Sequence, residues 1–532
     1  MYLNNCDLNQ VSSGLHGMRR IAGLSACIFL ALLGRVEAAT INAASPSLAN
    51  VATAVSSARD GDTVLIPAGT AIWTTGLSIK KAITLQGNGI GSTIIKDGIP
   101  NGTRLLSFTL VSGKPSRLTG IEFQNGGAAK HSNGVTGFVN APGVNPLNGQ
   151  TMRIDHCKFN GLNGNMLINS VIGVFDHNVI ITNGGGYIAV WNSYWGGATT
   201  LFGDKSWTSP INFGGPDFFF IEDNEYIGTA SSTRSLTDGF AGARFVIRHN
   251  KITDGLVTNH GLDSSGRIRG GVAMEIYNNT FTQTSVKKGN YVGGSRGGVA
   301  IFHDNTISGY STQPVFPLAT FRTFMPAWGG ATGRNPWDKN APGGPFYSST
   351  AAAVSSNLTV TVLGSPGWTT DQWAGYSVIR TTNLGGANDH GFSEIVSNTA
   401  NSLTYHDCSS FGNALSFAKG DSLQIWKVSQ AMDMPGVSGG ALVTIGGSLS
   451  PMPGPPSGWN NQVVTPCYSW NNINLSNNNA HVNFGTSAGD AAIVVRGTHY
   501  FADTKMPGYT PYTYPHPLTT GIAPPSNLTI VP

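Results

Sequence analysis

Between residues 153 and 474 one short pattern of apolar and polar positions keeps returning: "RIDHCKF" at 153–159, "VFDHNVI" at 174–180, "FIEDNEY" at 220–226, "VIRHNKI" at 246–252, "EIYNNTF" at 275–281, "IFHDNTI" at 301–307 and "YSWNNIN" at 468–474. Apolar residues stand on either side of a polar turn position held by Asn178, Asn224, Asn250, Asn279, Asn305 and Asn472, with Cys157 in the first place. Alternation with a period of two is the mark of a half-buried strand. The pattern predicts that Ile154, Phe175, Ile221, Ile247, Ile276 and Phe302 point inward on one strand. Phe159, Ile180, Tyr226, Ile252, Phe281 and Ile307 then point inward on the next. Between the two strands the Asn makes a sharp turn and bonds to the Asn of the neighbouring coil. Steps of 21 (157 to 178), 26 (224 to 250), 29 (250 to 279) and 26 (279 to 305) suit one coil of a parallel β-solenoid, and the step of 46 (178 to 224) holds one coil with a long insertion. Each coil buries its apolar face only by stacking on its neighbours.

Ahead of the repeat stand "DGDTVLIPAGT" (60–70) and "ITLQGNGIGSTII" (83–95). With these the chain resembles the pectate-lyase-like right-handed parallel β-helix superfamily over roughly residues 60 to 325 and 463 to 500. The fold class this implies is all-β, a right-handed parallel β-helix. Ser45 and Pro46 followed by "SLANVATAVSSA" read as a capped amphipathic helix, whose Leu48, Val51 and Val55 would cover the open edge of the first coil. The parallel β-helix with its N-terminal cap is expected over 39–345. Strand-like runs such as "NLTVTVL" and "SLQIWKV" within 346–430 read as a small inserted β module. The last coils follow over 431–500. In the tail, 501–532, the prolines of "YTPYTYPHPL" forbid a central strand, so the tail is expected to wrap along the outside.

Composition narrows the function. Only 11% of the 532 residues are charged, and the net charge of +4 forms no basic run, so nucleic acid is not an expected partner. The segment 1–38 reads as a signal peptide, with Arg19 and Arg20 before the apolar run 21–34 and small residues up to Ala38; translation from Met18 suits it better than from Met1. "LSAC" (24–27) is similar to a lipobox, although the apolar run continues past Cys27. The expectation is a secreted protein, extracellular or periplasmic, with no membrane span and acting as a monomer. After cleavage Cys157, Cys408 and Cys467 remain, an odd set without CxxC spacing, read as small buried hydrophobes.

The loop "VTNHGLDSSGRIRG" (257–270) concentrates the candidate chemistry. In this superfamily, polysaccharide binds on the face whose strands lead into long, variable loops. "LVTNHG" is expected to rise on that face, with His260 at the strand end and Asp263, Arg267 and Arg269 in the loop. One coil earlier "SLTDGF" brings Asp238, and one coil later "YVGGSRGG" brings Arg296. Stacked strands lie about 4.8 Å apart, so Asp238, His260 and Arg296 become neighbours. A neutral His suits proton abstraction, and guanidiniums hold a substrate carboxylate. Trp191, Tyr194, Trp195, Trp207, Trp328 and Trp337 fall in loops of the same face and suit sugar rings. A polysaccharide lyase is the leading expectation. The alternatives are a polygalacturonase-like glycoside hydrolase, with Asp238 and Asp263 as the carboxylate pair, and a non-catalytic glycan-binding solenoid. Many lyases of the superfamily use Ca²⁺, but no tight acidic cluster falls on this face, which leaves the cofactor open. Asp155, Asp176, Glu222 and Arg248 share one outward position and read as weak surface ion pairs. His156, His177 and His249 each precede the turn position and are not expected to bind metal, and Glu275 is a secondary candidate on the same outward face.

Overall fold

The computed structural model describes residues 38–520 except 101–102, 129–138, 143–148, 163, 183–187, 192–205, 207–208, 230–233, 241, 260–269, 285–290, 311–312, 320–344, 357, 383–391, 406–414, 427–434, 439–462, 479, 487–490 and 492–493. The chain is all-β. Its strands visit three sheets in rotation, so that each circuit lays one strand on each. The first sheet has twelve strands, from Thr40–Asn42 to Tyr500–Ala502, and is parallel throughout. The second has eleven and the third eight. This arrangement fits a parallel β-helix-like solenoid.

The apolar rows expected from the repeat are present and in register. On the first sheet Ile154 pairs with Phe175, then Ile221, Ile247, Ile276 and Phe302 follow. On the second, Phe159 leads through Ile180, Tyr226, Ile252 and Phe281 to Ile307. All belong to one buried core. The long step from 178 to 224 is a single coil, since Phe175 pairs directly with Ile221.

The corner between the first and second sheets differs in detail from the expectation. The residue before the Asn makes the turn: His156, His177, Asp223, His249, Asn278, Asp304 and Asn471 all have φ between 51° and 57°. His, Asp and Asn tolerate this left-handed region better than other side chains. The Asn that follows turns inward and is buried. Asn224 Nδ2 donates to Asn250 Oδ1 at 3.0 Å, Asn250 to Asn279 at 3.0 Å, Asn279 to Asn305 at 3.0 Å and Asn305 to Asn472 at 2.8 Å. Each Asn also donates to two carbonyls, as Asn250 does to Ile221 and Arg248. At the start of the row Cys157 N–H donates to Asn178 Oδ1. Cys157 and Cys467 are buried and free, while Cys408 lies outside the described residues.

Leu48–Ser57 is the expected helix, capped by Ser47, whose side chain accepts from Asn50 N–H. It buries Val51, Ala54 and Val55 against the first strands. A separate closed barrel of six antiparallel strands runs from Tyr347 to Trp426 around its own core, including Val360, Ile395 and Ile425. The chain leaves for it at Leu318, which bridges Ser295, and returns at Pro435, which bridges Gly298. Both ends therefore attach to one four-residue turn.

The outward charged row of the first sheet is not a solvent-exposed surface. Asp155, Asp176, Glu222 and Arg248 are all fully buried. Arg117 forms a two-pronged pair with Asp155 (2.6 and 2.6 Å), and Arg153 does the same with Asp176 (3.0 and 2.8 Å). Arg248 Nε donates to Glu222 at 2.6 Å. Burial alone would raise the Asp155 pKa, but Arg117, His156 and Arg153 outweigh it and bring it to about 2. Two outer segments supply the cover. Arg244 anchors the first by donating to the carbonyls of Ser206, Ser209 and Pro210. The second is the Pro-rich tail, which runs along the outside as expected: Arg248 donates to the carbonyls of Tyr512 and Thr513, and Arg153 to that of Leu518. Glu275 also lies under this cover, accepting from Tyr509 Oη at 2.6 Å and Gly214 N–H at 2.8 Å. That corrects its reading as an open outward candidate. Among the described residues no helix is long and apolar enough to cross a membrane.

Candidate functional site

Long connections leave after Trp191 and Asn259, at the C-terminal ends of third-sheet strands, and after Leu318, which bridges Ser295 at the end of another. Three strands build the local floor: Arg234–Phe240, Gly255–Asn259 and Gly293–Ser295. Alternation turns Thr237 and Val257 inward, where both are fully buried. It turns Asp238 outward, in register with Ala189 on one side and Thr258 on the other, and Thr258 in turn faces Gly294. Thr258 Oγ1 is spent on the Thr237 carbonyl at 2.6 Å and reaches Ser235 Oγ at 3.2 Å.

Arg296 follows the third of these strands, its N–H donating to the Asn259 carbonyl at 3.2 Å. It sits within the turn that holds both ends of the barrel insertion. Asp238 and Arg296 come from strands two apart, a span of about 10 Å between backbones that an arginine side chain can largely cover. Each acts on the other's charge. Burial pushes the Asp238 carboxyl up to about 7, against the opposing pull of Arg296. Burial lowers the Arg296 pKa, while Asp238 and then Tyr291 raise it. The result is a carboxyl that is half ionised near neutral pH beside a cation, a combination that can exchange a proton and bind an anion.

Beneath them lies Asn259, a residue whose role the motif reading missed. It points inward and is buried. Its Nδ2 donates at 2.9 Å to the carbonyls of Gly271 and Gly297. One carboxamide thus ties the return of the 260–270 segment and the turn bearing Arg296 to the same strand end. A Cβ on Gly239 or Gly271 would come within 2.4 or 1.9 Å of Asn259 Oδ1, so both positions need glycine. Gly239 stands twenty residues before Asn259 and Gly271 twelve after it, so no local spacing in the sequence marked this role. Gly270 bridges Phe240, and Gly242 N–H donates to its carbonyl at 2.8 Å.

Of the residues singled out from the sequence, Asp238 lies on a third-sheet strand and Arg296 follows the strand two places along, and each charge acts on the other. The backbone of Trp191 ends a third-sheet strand, paired with Phe240. His260, Asp263, Arg267, Arg269, Tyr194, Trp195, Trp207, Trp328 and Trp337 lie outside the described residues. For those within 260–269, the flanks at Asn259 and Gly270 are anchored beside Arg296 and Phe240 respectively. Among the described residues no group of three or more His, Cys, Asp or Glu side chains is arranged to hold a metal ion. Compared with known proteins, the chain matches no family model, and no curated protein matches it.

Proposed function

We propose that this chain is an exported polysaccharide lyase of the pectate-lyase-like superfamily, a right-handed parallel β-helix closed at its N-terminal end by the helix Leu48–Ser57. Its substrate, an acidic polysaccharide, would bind on the outer face of the third sheet. The observation that supports this reading is the placement of Asp238 and Arg296 on strands two apart, each within reach of the other's charge, beside the anchored ends of the 260–269 segment. In β-elimination a base takes the proton from the carbon next to a sugar carboxylate. The electrons of that C–H bond form a C=C bond, and the C–O bond to the leaving sugar breaks. Arg296 suits the substrate carboxylate, whose charge grows as the proton leaves. Proton abstraction falls to His260 or Asp238, with Arg267 and Arg269 as further carboxylate partners. Aromatic residues of the neighbouring loops, Trp191 and Trp195 among them, would stack on the sugar rings.

Product masses test the reading. Mature chain from residue 39 onward is incubated with a panel of acidic and neutral polysaccharides. Fragments with an unsaturated end, lighter by one water than hydrolysis products, are expected from an acidic member. Fragments carrying the added water would replace the lyase with a hydrolase, and binding without fragments from any acidic member would leave a glycan-holding solenoid.

A further inference from the structure

The outer face of the first sheet treats the C-terminal tail as a bound peptide. We propose that this face is a peptide-binding surface that reads the main chain of the 509–518 segment, and that the segment occupies it in cis as a clasp which the same segment from a second copy can replace.

Three observations carry this. First, the tail is held by side chains that are fixed without it. Arg248 is oriented by Glu222 and by Tyr277 Oη, and Arg153 by Asp176. Their remaining N–H groups donate to the Tyr512, Thr513 and Leu518 carbonyls at 2.8, 2.9 and 3.2 Å, while Glu222 accepts from His516 N–H at 2.8 Å. Peptide carbonyls and an N–H are thereby read by a prearranged charged row, and prearrangement lowers the cost of binding. Second, the inward core is complete without the tail. The main cluster runs through Tyr500 and contains no later residue, whereas Tyr512 and Leu518 pack in a separate outer cluster. Third, the segment is built as a ligand. Pro511, Pro515 and Pro517 restrict its backbone, so little freedom is lost on docking. Tyr514 stacks on His249 at 3.7 Å and its hydroxyl donates to Asp223 at 2.7 Å. Between the last strand and the clasp, Asp503, Thr504 and Lys505 are exposed, which gives the clasp an accessible joint.

The test uses the full chain with a protease site inserted between Thr504 and Lys505, cleaved after folding. A fluorescent peptide of residues 506–520 is then followed by anisotropy. The uncleaved chain, whose own segment competes at high effective concentration, should bind the peptide at least about a hundredfold more weakly. The cleaved chain should keep its circular dichroism spectrum and bind the peptide saturably, with unlabelled peptide competing. Peptide carrying Tyr514→Ala and His516→Ala should bind at least tenfold more weakly, since the contacts of the Tyr514 ring with His249 and of the His516 ring with Phe220, at 4.7 Å, are removed. Three outcomes overturn the proposal. They are loss of the fold on cleavage, a folded cleaved chain that takes up no peptide, and equal binding before and after cleavage.

Discussion

At the scale of single residues, two carboxyls have been moved to the same place by burial and differ in what surrounds them. Asp238, raised to about 7, has Arg296 beside it on the face that carries the long loops. If Asp238 takes the substrate proton, turnover rises with pH through about 7 and falls about tenfold for each pH unit below it. Asp238→Asn should then lower kcat by about 10²- to 10⁴-fold. A variant with undiminished kcat and an unaltered pH profile would remove Asp238 from proton transfer and leave His260 to it. Glu275 reaches about 7 in a closed site, raised by burial and drawn back by Tyr509, Gly214 N–H and Arg248, with Tyr277 also close enough to interact. Its effect is on stability, with a definite sign. The folded pKa lies above the ordinary 4.5, so the contribution is complete below about 4.5 and is lost as pH rises through about 7. The loss is on the order of 3 kcal/mol at most. Urea midpoints measured from pH 4.5 to 8 should fall less steeply for Glu275→Gln than for the parent chain. Parallel curves would show that the carboxyl is already relieved by solvent.

At the scale of elements, the corner between the first and second sheets joins local conformation to stacking. A left-handed residue turns the chain, and the Asn after it pays for the turn by satisfying carbonyls on two coils. Asn250→Ala would strand the Ile221 and Arg248 carbonyls and the N–H of Asn224, which now donates to Asn250 Oδ1 at 2.9 Å. A loss on the order of 3 kcal/mol is expected, measured as a lowered urea midpoint. A change below about 0.5 kcal/mol, the scatter typical of surface substitutions, would show the row to be ornamental. These elements were legible in the sequence because their cause is local and repeated: Ile247 and Ile276 recur at the same distance from their Asn, and stacking puts like on like. The turn residues were also present in the pattern as His, Asp and Asn, but the recurring Asn drew the turn assignment one position too far. The burial of Asp155, Asp176, Glu222 and Arg248 was not legible. It depends on a tail more than 250 residues downstream of Arg248, and no periodicity links Tyr512 to that row. What the sequence did offer was a row of three acids followed by Arg248, and a tail with tyrosines at 509, 512 and 514.

At the scale of the whole molecule, the sheets have been put to different uses. The first is sealed by the tail and the 206–215 segment. The third carries the departures of the long connections, including both ends of the barrel insertion, and holds Asp238 and Arg296. This division explains why only part of the candidate site could be read from the chain. Register placed Asp238 and Arg296 near one another because one regular strand carries Asp238 and another ends just before Arg296. The path of 260–269 is not set by any repeat, so its His and Arg side chains could be assigned to a face but not to positions. The same division makes the barrel separable. Leu318 and Pro435 bridge Ser295 and Gly298, which are three residues apart and so no more than about 11 Å from each other. A Gly/Ser linker of about eight residues, with a root-mean-square span near 15 Å, can join them. Replacing 320–433 with such a linker should leave the parallel sheets folded, because the barrel core around Val360 and Ile425 is a cluster distinct from the main core. The measurement is the thermal unfolding of the shortened chain followed by far-ultraviolet circular dichroism, with the excised barrel expressed alone for comparison. An unchanged midpoint for the sheets, and a second independent transition for the barrel, would establish two folding units. Loss of the sheet signal on excision would instead make the barrel part of the solenoid's own stability, and the turn at Arg296 the point where that support enters.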